Sequence, residues 1–262
     1  MYQFGFIGMG NMGYAILKGL LNQVSSDDII IADVNKERVE EVSKETGVDV
    51  ATSNAECANK AKYIVLAIKP QFFDGVLKNI ENVVTEEKVI ISIAPGKTID
   101  FIKEKLMFKP KVVRAMPNTP ALIGEGMTGV CYDEKELYVD EVNTINTFFK
   151  SFGVMAKVDE KLIGAVTSVS GCSPAFVYMF IESMADGAVK LGMSRTDAYK
   201  FAAQTVMGSA KMVLETGKHP GELKDMVCSP GGATICGVAA LEEYGFRNAV
   251  IKASDACYDK FK

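Results

Sequence analysis

The stretch that most limits what this chain can fold into is "QFGFIGMGNMGYAILKGLL", residues 3–21. An apolar run ends at Gly8, Gly10 and Gly13, spaced G-x-G-x-x-G. Helical spacing follows at once, with Ile16, Leu17, Leu20 and Leu21 apolar. Strand, glycine turn and helix in that order leave few folds open. Gly8 makes the tight turn, Gly10 lets the backbone approach a pyrophosphate, and Gly13 lets helix and strand pack closely. The first N–H groups of the helix lack intrahelical partners and its dipole favours anions, so phosphates sit there.

The same alternation continues to about residue 160. "DIIIAD" (28–33), "KYIVLAIKP" (62–70), "EKVIISIAPG" (87–96) and "KVVRAMPNTP" (111–120) read as strands. "NKERVEEVSKETG" (35–47) reads as a charged amphipathic helix stopped by Gly47. Continuous Ile/Val-rich strands separated by helices predict a parallel sheet covered on both faces. Residues 127–132 and 153–158 add strands at one edge. From Lys161 the strand signals vanish. Residues 173–192, 195–217 and 231–245 read as helices, with Gly192, Gly217 and Gly245 as stops. The expected fold is α/β: an N-terminal Rossmann dinucleotide-binding domain (1–160) and a C-terminal all-helical domain (161–262).

Composition narrows the function. Net charge is −4, with no Lys/Arg run, so a nucleic-acid partner is not expected. The wholly apolar run "FVYMFI" (176–181) is too short for a bilayer, and no membrane partner is expected. Met1 leads straight into the first strand without a basic, apolar leader, which predicts a cytoplasmic protein. Six cysteines lie scattered without a C-x-x-C pair, and the one histidine is His219. They read as reduced core residues, and no metal site is expected.

Asp33 ends the second strand, twenty residues past Gly13. An acid there takes the ribose hydroxyls of NAD and repels a 2′-phosphate; the alternative is a cap for the next helix. Lys36 and Arg38 follow and would neutralise a 2′-phosphate, so NADH and NADPH both stay open. Lys69 and Asn54 are candidate cofactor contacts at the same sheet edge. An alcohol dehydrogenase needs a proton acceptor near the carbinol. His219 lies in a Gly/Pro turn, and no lysine occurs between Lys161 and Lys190, which argues against a β-hydroxyacid dehydrogenase. A protonated cyclic imine accepts hydride directly and needs only a hydroxyl to orient it, so imine reduction is favoured.

Five stretches carry a resemblance nearly end to end: "GFIGMGNMG", "AIKP", "RAMPNTPA" (114–121), "SGCSPAFVYMFIESMADG" (170–187) and "LKDMVCSPGGATICGVAALE" (223–242). The last is the most specific. The chain resembles the pyrroline-5-carboxylate reductases, which reduce Δ1-pyrroline-5-carboxylate to L-proline with NAD(P)H. The resemblance implies substrate-carboxylate contacts at Ser229, Gly231 and Gly232, and a hydroxyl near the ring nitrogen at the catalytic Thr234. It implies cofactor contacts at Met9, Gly10, Asn11, Met12, Asn54, Ala67, Ile68, Lys69, Pro70 and Ala94. It makes "MPNTP", with Asn118, the wall between cofactor and substrate. Ala233 stands where many relatives carry a second threonine, so that hydroxyl is dispensable here. Asp33 is less typical of strict NADPH users. A non-catalytic nicotinamide sensor should have lost "SPGGAT", which is intact.

Residues 175–192 carry only Glu182, Asp186 and Lys190 as charges. A helix apolar nearly all round must be buried on several sides, which predicts a two-fold dimer through this domain. The resemblance implies the same dimer, and rings of five dimers.

Overall fold

The computed structural model describes residues 1–261; Lys262, the last residue of the expected helical domain, lies outside them. Eight strands form one sheet: β1 (Tyr2–Ile7), β2 (Ile29–Ala32), β3 (Asp49–Val50), β4 (Ala61–Leu66), β5 (Val89–Ser92), β6 (Lys111–Met116), β7 (Gly126–Cys131) and β8 (Gly153–Lys157). Their spatial order is β3-β2-β1-β4-β5-β6-β7-β8. Every neighbouring pair is parallel except β6 with β7. Residues 117–125 between them are too few to carry a crossover helix, so β7 turns back antiparallel. β3 escapes the hydrophobic pattern because both of its residues are exposed.

Six helices cover this sheet: α1 (Asn11–Leu20), α2 (Lys36–Thr46), α3 (Asn54–Lys60), α4 (Phe73–Ile80), α5 (Ile99–Lys105) and α6 (Val139–Lys150). Strand side chains alternate between two cores. Phe4, Phe6, Ile29, Ile31, Val65 and Ile91 join residues of α1, α2 and α6 in one. Ile7, Ile30, Ile64, Leu66 and Ile90 join residues of α3, α4 and α5 in the other. Phe148 of α6 stacks on Phe4 at 5.3 Å and meets Phe149 and Phe152 edge-on. Burying one such ring stabilises the fold by roughly 1.5–3 kcal/mol.

The rest is helical: α7 (Ile163–Val166), α8 (Ser173–Lys190), α9 (Arg195–Thr216), α10 (Pro220–Met226), α11 (Ala233–Glu243) and α12 (Phe246–Tyr258). The chain divides into compact units Met1–Gly171 and Cys172–Lys260. This division falls later than the point where strand signals vanish, because α7 still packs on β6 and β7 and a Cβ on Gly129 would meet Val166 at 2.7 Å. Thr167–Cys172 is a π-helical turn leading into α8. In an α-helix the Ser170 carbonyl would bond the residue at 174, which is Pro174 and has no N–H. The freed carbonyl accepts instead from Asn118 Nδ2 at 3.1 Å.

Candidate functional site

The C-terminal ends of β1, β2 and β4 frame a cleft of about 400 Å³. Gly8, Gly10, Asp33, Asn54, Ala67, Ile68 and Lys69 line it, joined by Ile7, Val34, Phe72 and Val76. Each glycine of the turn has a separate steric reason. Gly8 has φ +104°, and a Cβ would lie 2.5 Å from the Ala67 carbonyl oxygen. A Cβ on Gly13 would lie 2.2 Å from the Gly8 carbonyl oxygen. On Gly10 it would meet nothing within 4 Å, so the backbone there faces open space. Gly10 caps α1 in an extended conformation without any side-chain bond to the first-turn N–H groups. This cradle fits a dinucleotide's pyrophosphate.

Met9 is fully buried, and Met12 packs against the core under α1. Asn11 opens α1, Pro70 opens a short 3-10 turn after Lys69, and Ala94 is buried just past β5. Asp33 is engaged with backbone. Its Oδ2 accepts from Met9 N–H at 2.6 Å and its Oδ1 from Asn35 N–H at 2.9 Å. Asn35, not Asp33, caps α2, accepting from Arg38 N–H at 3.1 Å. Arg38 donates Nε to the Met9 carbonyl at 3.3 Å and lies 4.6 Å above the Tyr14 ring. Asp33 and Arg38 therefore grip the two successive peptide units that flank Met9.

Asn54 begins α3, whose cap is Ser53. Glu56 fixes this corner: its Oε2 accepts from Thr52 N–H at 2.6 Å and Thr52 hydroxyl at 2.5 Å, and Lys60 bonds Oε1 at 2.6 Å. Lys60 first, then Thr52, hold the Glu56 carboxyl down to about 2. Sequence reasoning missed the apolar lining, Val34 and Phe72. The signal was present: both are apolar residues in polar loops, 92% and 60% exposed.

The second glycine turn lies between α10 and α11. Gly231 has φ +68°, Gly232 is extended and caps α11 without a side-chain bond, and Gly232 N–H donates to the Ser229 carbonyl at 3.0 Å. A Cβ on Gly232 would lie 2.4 Å from Ser229 Oγ, so the serine hydroxyl occupies that space. Thr234 stands exposed in the first turn of α11. By contrast α2, α3, α5, α9 and α10 begin at Asn35, Ser53, Thr98, Ser194 and His219, whose side chains accept from first-turn N–H groups. His219 is exposed and accepts at Nδ1 from Gly221 N–H at 3.0 Å.

Asn118 follows β6. Its Nδ2 donates to Ser170 and its Oδ1 accepts from Met127 N–H at 2.9 Å. The amide therefore ties the "MPNTP" loop to β7 and to the π-helical turn. Among the described residues, no group of three His, Cys, Asp or Glu side chains is placed to hold a metal.

A family model for pyrroline-5-carboxylate reductase dimerisation matches residues 160–262. A second, for coenzyme F420-dependent NADP oxidoreductases, matches residues 3–96. The pyrroline-5-carboxylate reductase of Escherichia coli K12 is 48% identical, over 98% of this chain and 96% of its own length. That of Methanosarcina acetivorans is 42% identical over 97% and 96%. The crystal structure of Plasmodium falciparum pyrroline carboxylate reductase with NADP bound superposes with a TM-score of 0.89 at 35% identity, covering 100% of this chain and 97% of that one. A pyrroline-5-carboxylate reductase from Coxiella burnetii gives 0.91 at 30% identity, covering 99% and 97%.

Proposed function

The chain belongs to the pyrroline-5-carboxylate reductase family, and on that premise we propose how its residues divide the work of the reaction. It reduces the imine of Δ1-pyrroline-5-carboxylate to L-proline, completing proline biosynthesis. The nicotinamide cofactor, NADPH or NADH, supplies the hydride. The observation that carries the division of labour is the pair of helices, α1 and α11, that start at an extended glycine with no side-chain cap.

The turn from Gly8 to Gly13 and the first N–H groups of α1 hold the pyrophosphate. Asn54, Val34 and Phe72 receive the adenosine side, with Lys69 beside the phosphates. The first N–H groups of α11, with Ser229, Gly231 and Gly232, hold the substrate's single carboxylate. Thr234 hydrogen-bonds the ring nitrogen and so orients the imine carbon. Asn118 acts by position, since both ends of its amide brace the wall loop. The substrate enters protonated at nitrogen, so the protein need not supply a strong acid; its contribution is alignment and electrostatics.

The chain works as a homo-oligomer, which the dimerisation-family match supports. We read that oligomer as a dimer, five of which form a ring, in the cytoplasm. Glu160–Lys190 is long and apolar enough to cross a membrane by length and composition alone. We assign its exposed side chains to the dimer instead.

The test follows NADPH or NADH absorbance on adding pyrroline-5-carboxylate. Loss of absorbance with formation of proline is expected, and no oxidation with either cofactor overturns the reading. Thr234→Val should lower kcat by about 100-fold, because orientation of the reacting atoms is lost. Cofactor affinity should not change. An unchanged kcat removes Thr234 from the mechanism.

A further inference from the structure

Two helices of the Cys172–Lys260 unit face each other across an apolar groove. From α8 the lining includes Phe176, Phe180 and Met184, and from α12 Phe246, Val250 and Ala253. Spacings of three and four residues put each set on one helix face. Phe180 and Phe246 meet at 5.9 Å between ring centroids.

Each stripe continues to a cysteine. Cys172 is four residues before Phe176, and Cys257 is four residues after Ala253. Moving from Phe180 back to Cys172 covers about 12 Å of helix, and from Phe246 on to Cys257 about 16 Å. The Phe180–Phe246 pair at one end and the Cys172–Cys257 interaction at the other set the two helices antiparallel, with the cysteines opposite each other. The two thiols interact, and burial first, then that interaction, raises the Cys172 thiol above its ordinary value. Both are half-buried, within reach of a small oxidant. Cys57 and Cys131 are sealed in the other unit, where burial pushes their thiols up to about 12 and about 11.

We propose that Cys172 and Cys257 form a reversible disulfide that ties the end of α12 to the start of α8. This is a modification site that the reductase reaction does not use. The oxidant is a low-molecular-weight disulfide such as oxidised glutathione. One protein thiolate attacks it, forming a mixed disulfide and releasing one glutathione thiolate. The second protein thiolate displaces the other glutathione. Two electrons pass to glutathione, and the two protein thiol protons end on its two thiols. The bond closes the loop of residues 173–256, and long loops stabilise the most in the chain-entropy account.

The test uses the whole protein incubated with oxidised glutathione and then freed of it. Free thiols should fall by two, and non-reducing peptide mapping should recover the Cys172 peptide linked to the Cys257 peptide within one chain. The unfolding midpoint should rise by about 5 °C. Dithiothreitol should reverse all three changes, and Cys172→Ser or Cys257→Ser should each prevent them. The proposal is overturned if both thiols stay free while the exposed Cys236 is glutathionylated, or if the link joins two subunits. Neither result bears on whether the protein reduces pyrroline-5-carboxylate.

Discussion

Residues 1–171 and 172–260 solve the burial problem in opposite ways. The first unit buries whole rows of Phe, Ile, Val and Leu on both faces of its sheet. In the second, the only buried hydrophobic residues among those described are Ala185, Ala198 and Ala202, while Tyr178, Met179, Phe201, Met207 and Ile251 stand exposed. Monomeric proteins rarely expose contiguous apolar surface on that scale. One unit completes its own core; the other has the composition of a core without the neighbours to bury it. The difference teaches that the same apolar fraction reads as stability in one region and as assembly in the other.

Placing charge on the exposed helices should break this comparison most sharply. Tyr178→Glu with Phe201→Glu should give a monomeric mass in light scattering and lower activity by about 100-fold or more, while cofactor binding to the sheet unit persists. A wild-type protein already monomeric at micromolar concentration would show that the second unit needs no partner.

The next largest effect separates two glycines within the first unit. Gly13→Ala must displace the Gly8 carbonyl, and should cost about 3 kcal/mol of stability and abolish cofactor binding. Gly10→Ala meets no atom and should leave the melting temperature within a degree or two while weakening cofactor binding about tenfold. Equal loss of stability in both would refute the steric assignment.

Asp33→Ser should do two smaller things, read by titrating both cofactors. It removes the acceptor of Met9 N–H, weakening NADH and NADPH alike, and it removes a negative charge, shifting the remaining ratio towards NADPH several-fold. An unchanged ratio would leave Asp33 as a brace for the turn alone.

The smallest effect concerns Glu56. Its folded-state carboxyl is held at about 2 against an ordinary 4.5, so its contribution is present above pH 4.5 and lost as pH falls towards 2. Glu56→Gln should therefore lower the melting temperature slightly at pH 7 and make no difference near pH 2. It should also weaken cofactor binding, because Glu56 fixes the corner that carries Asn54.

The alternation of apolar strands and amphipathic helices, the glycine turn at residues 8–13 and the "SPGGAT" turn were all legible in the chain. Each is a local pattern, with a period or spacing that the backbone itself imposes. The glycine stops were legible for the same reason: Gly47, Gly192, Gly217 and Gly245 all adopt positive φ. Partnerships over long sequence distances were not. Spacing did not show that the Asp33 carboxylate accepts from the Met9 and Asn35 N–H groups, or that Asn35 rather than Asp33 caps α2. Nor did it show that the Asn118 amide bonds Ser170 and Met127.

The sequence by itself determined the fold class and the two helices, α1 and α11, that start at an extended glycine with no side-chain cap. These depend on backbone conformations that glycine permits and on periodicities only a few residues long. Tertiary structure alone decided which carbonyl Pro174 leaves for Asn118, which N–H groups claim the Asp33 carboxylate, and which two of six cysteines face each other. A hydrogen bond or thiol contact depends on ångström-scale placement of residues far apart in the chain, and no local spacing encodes that distance.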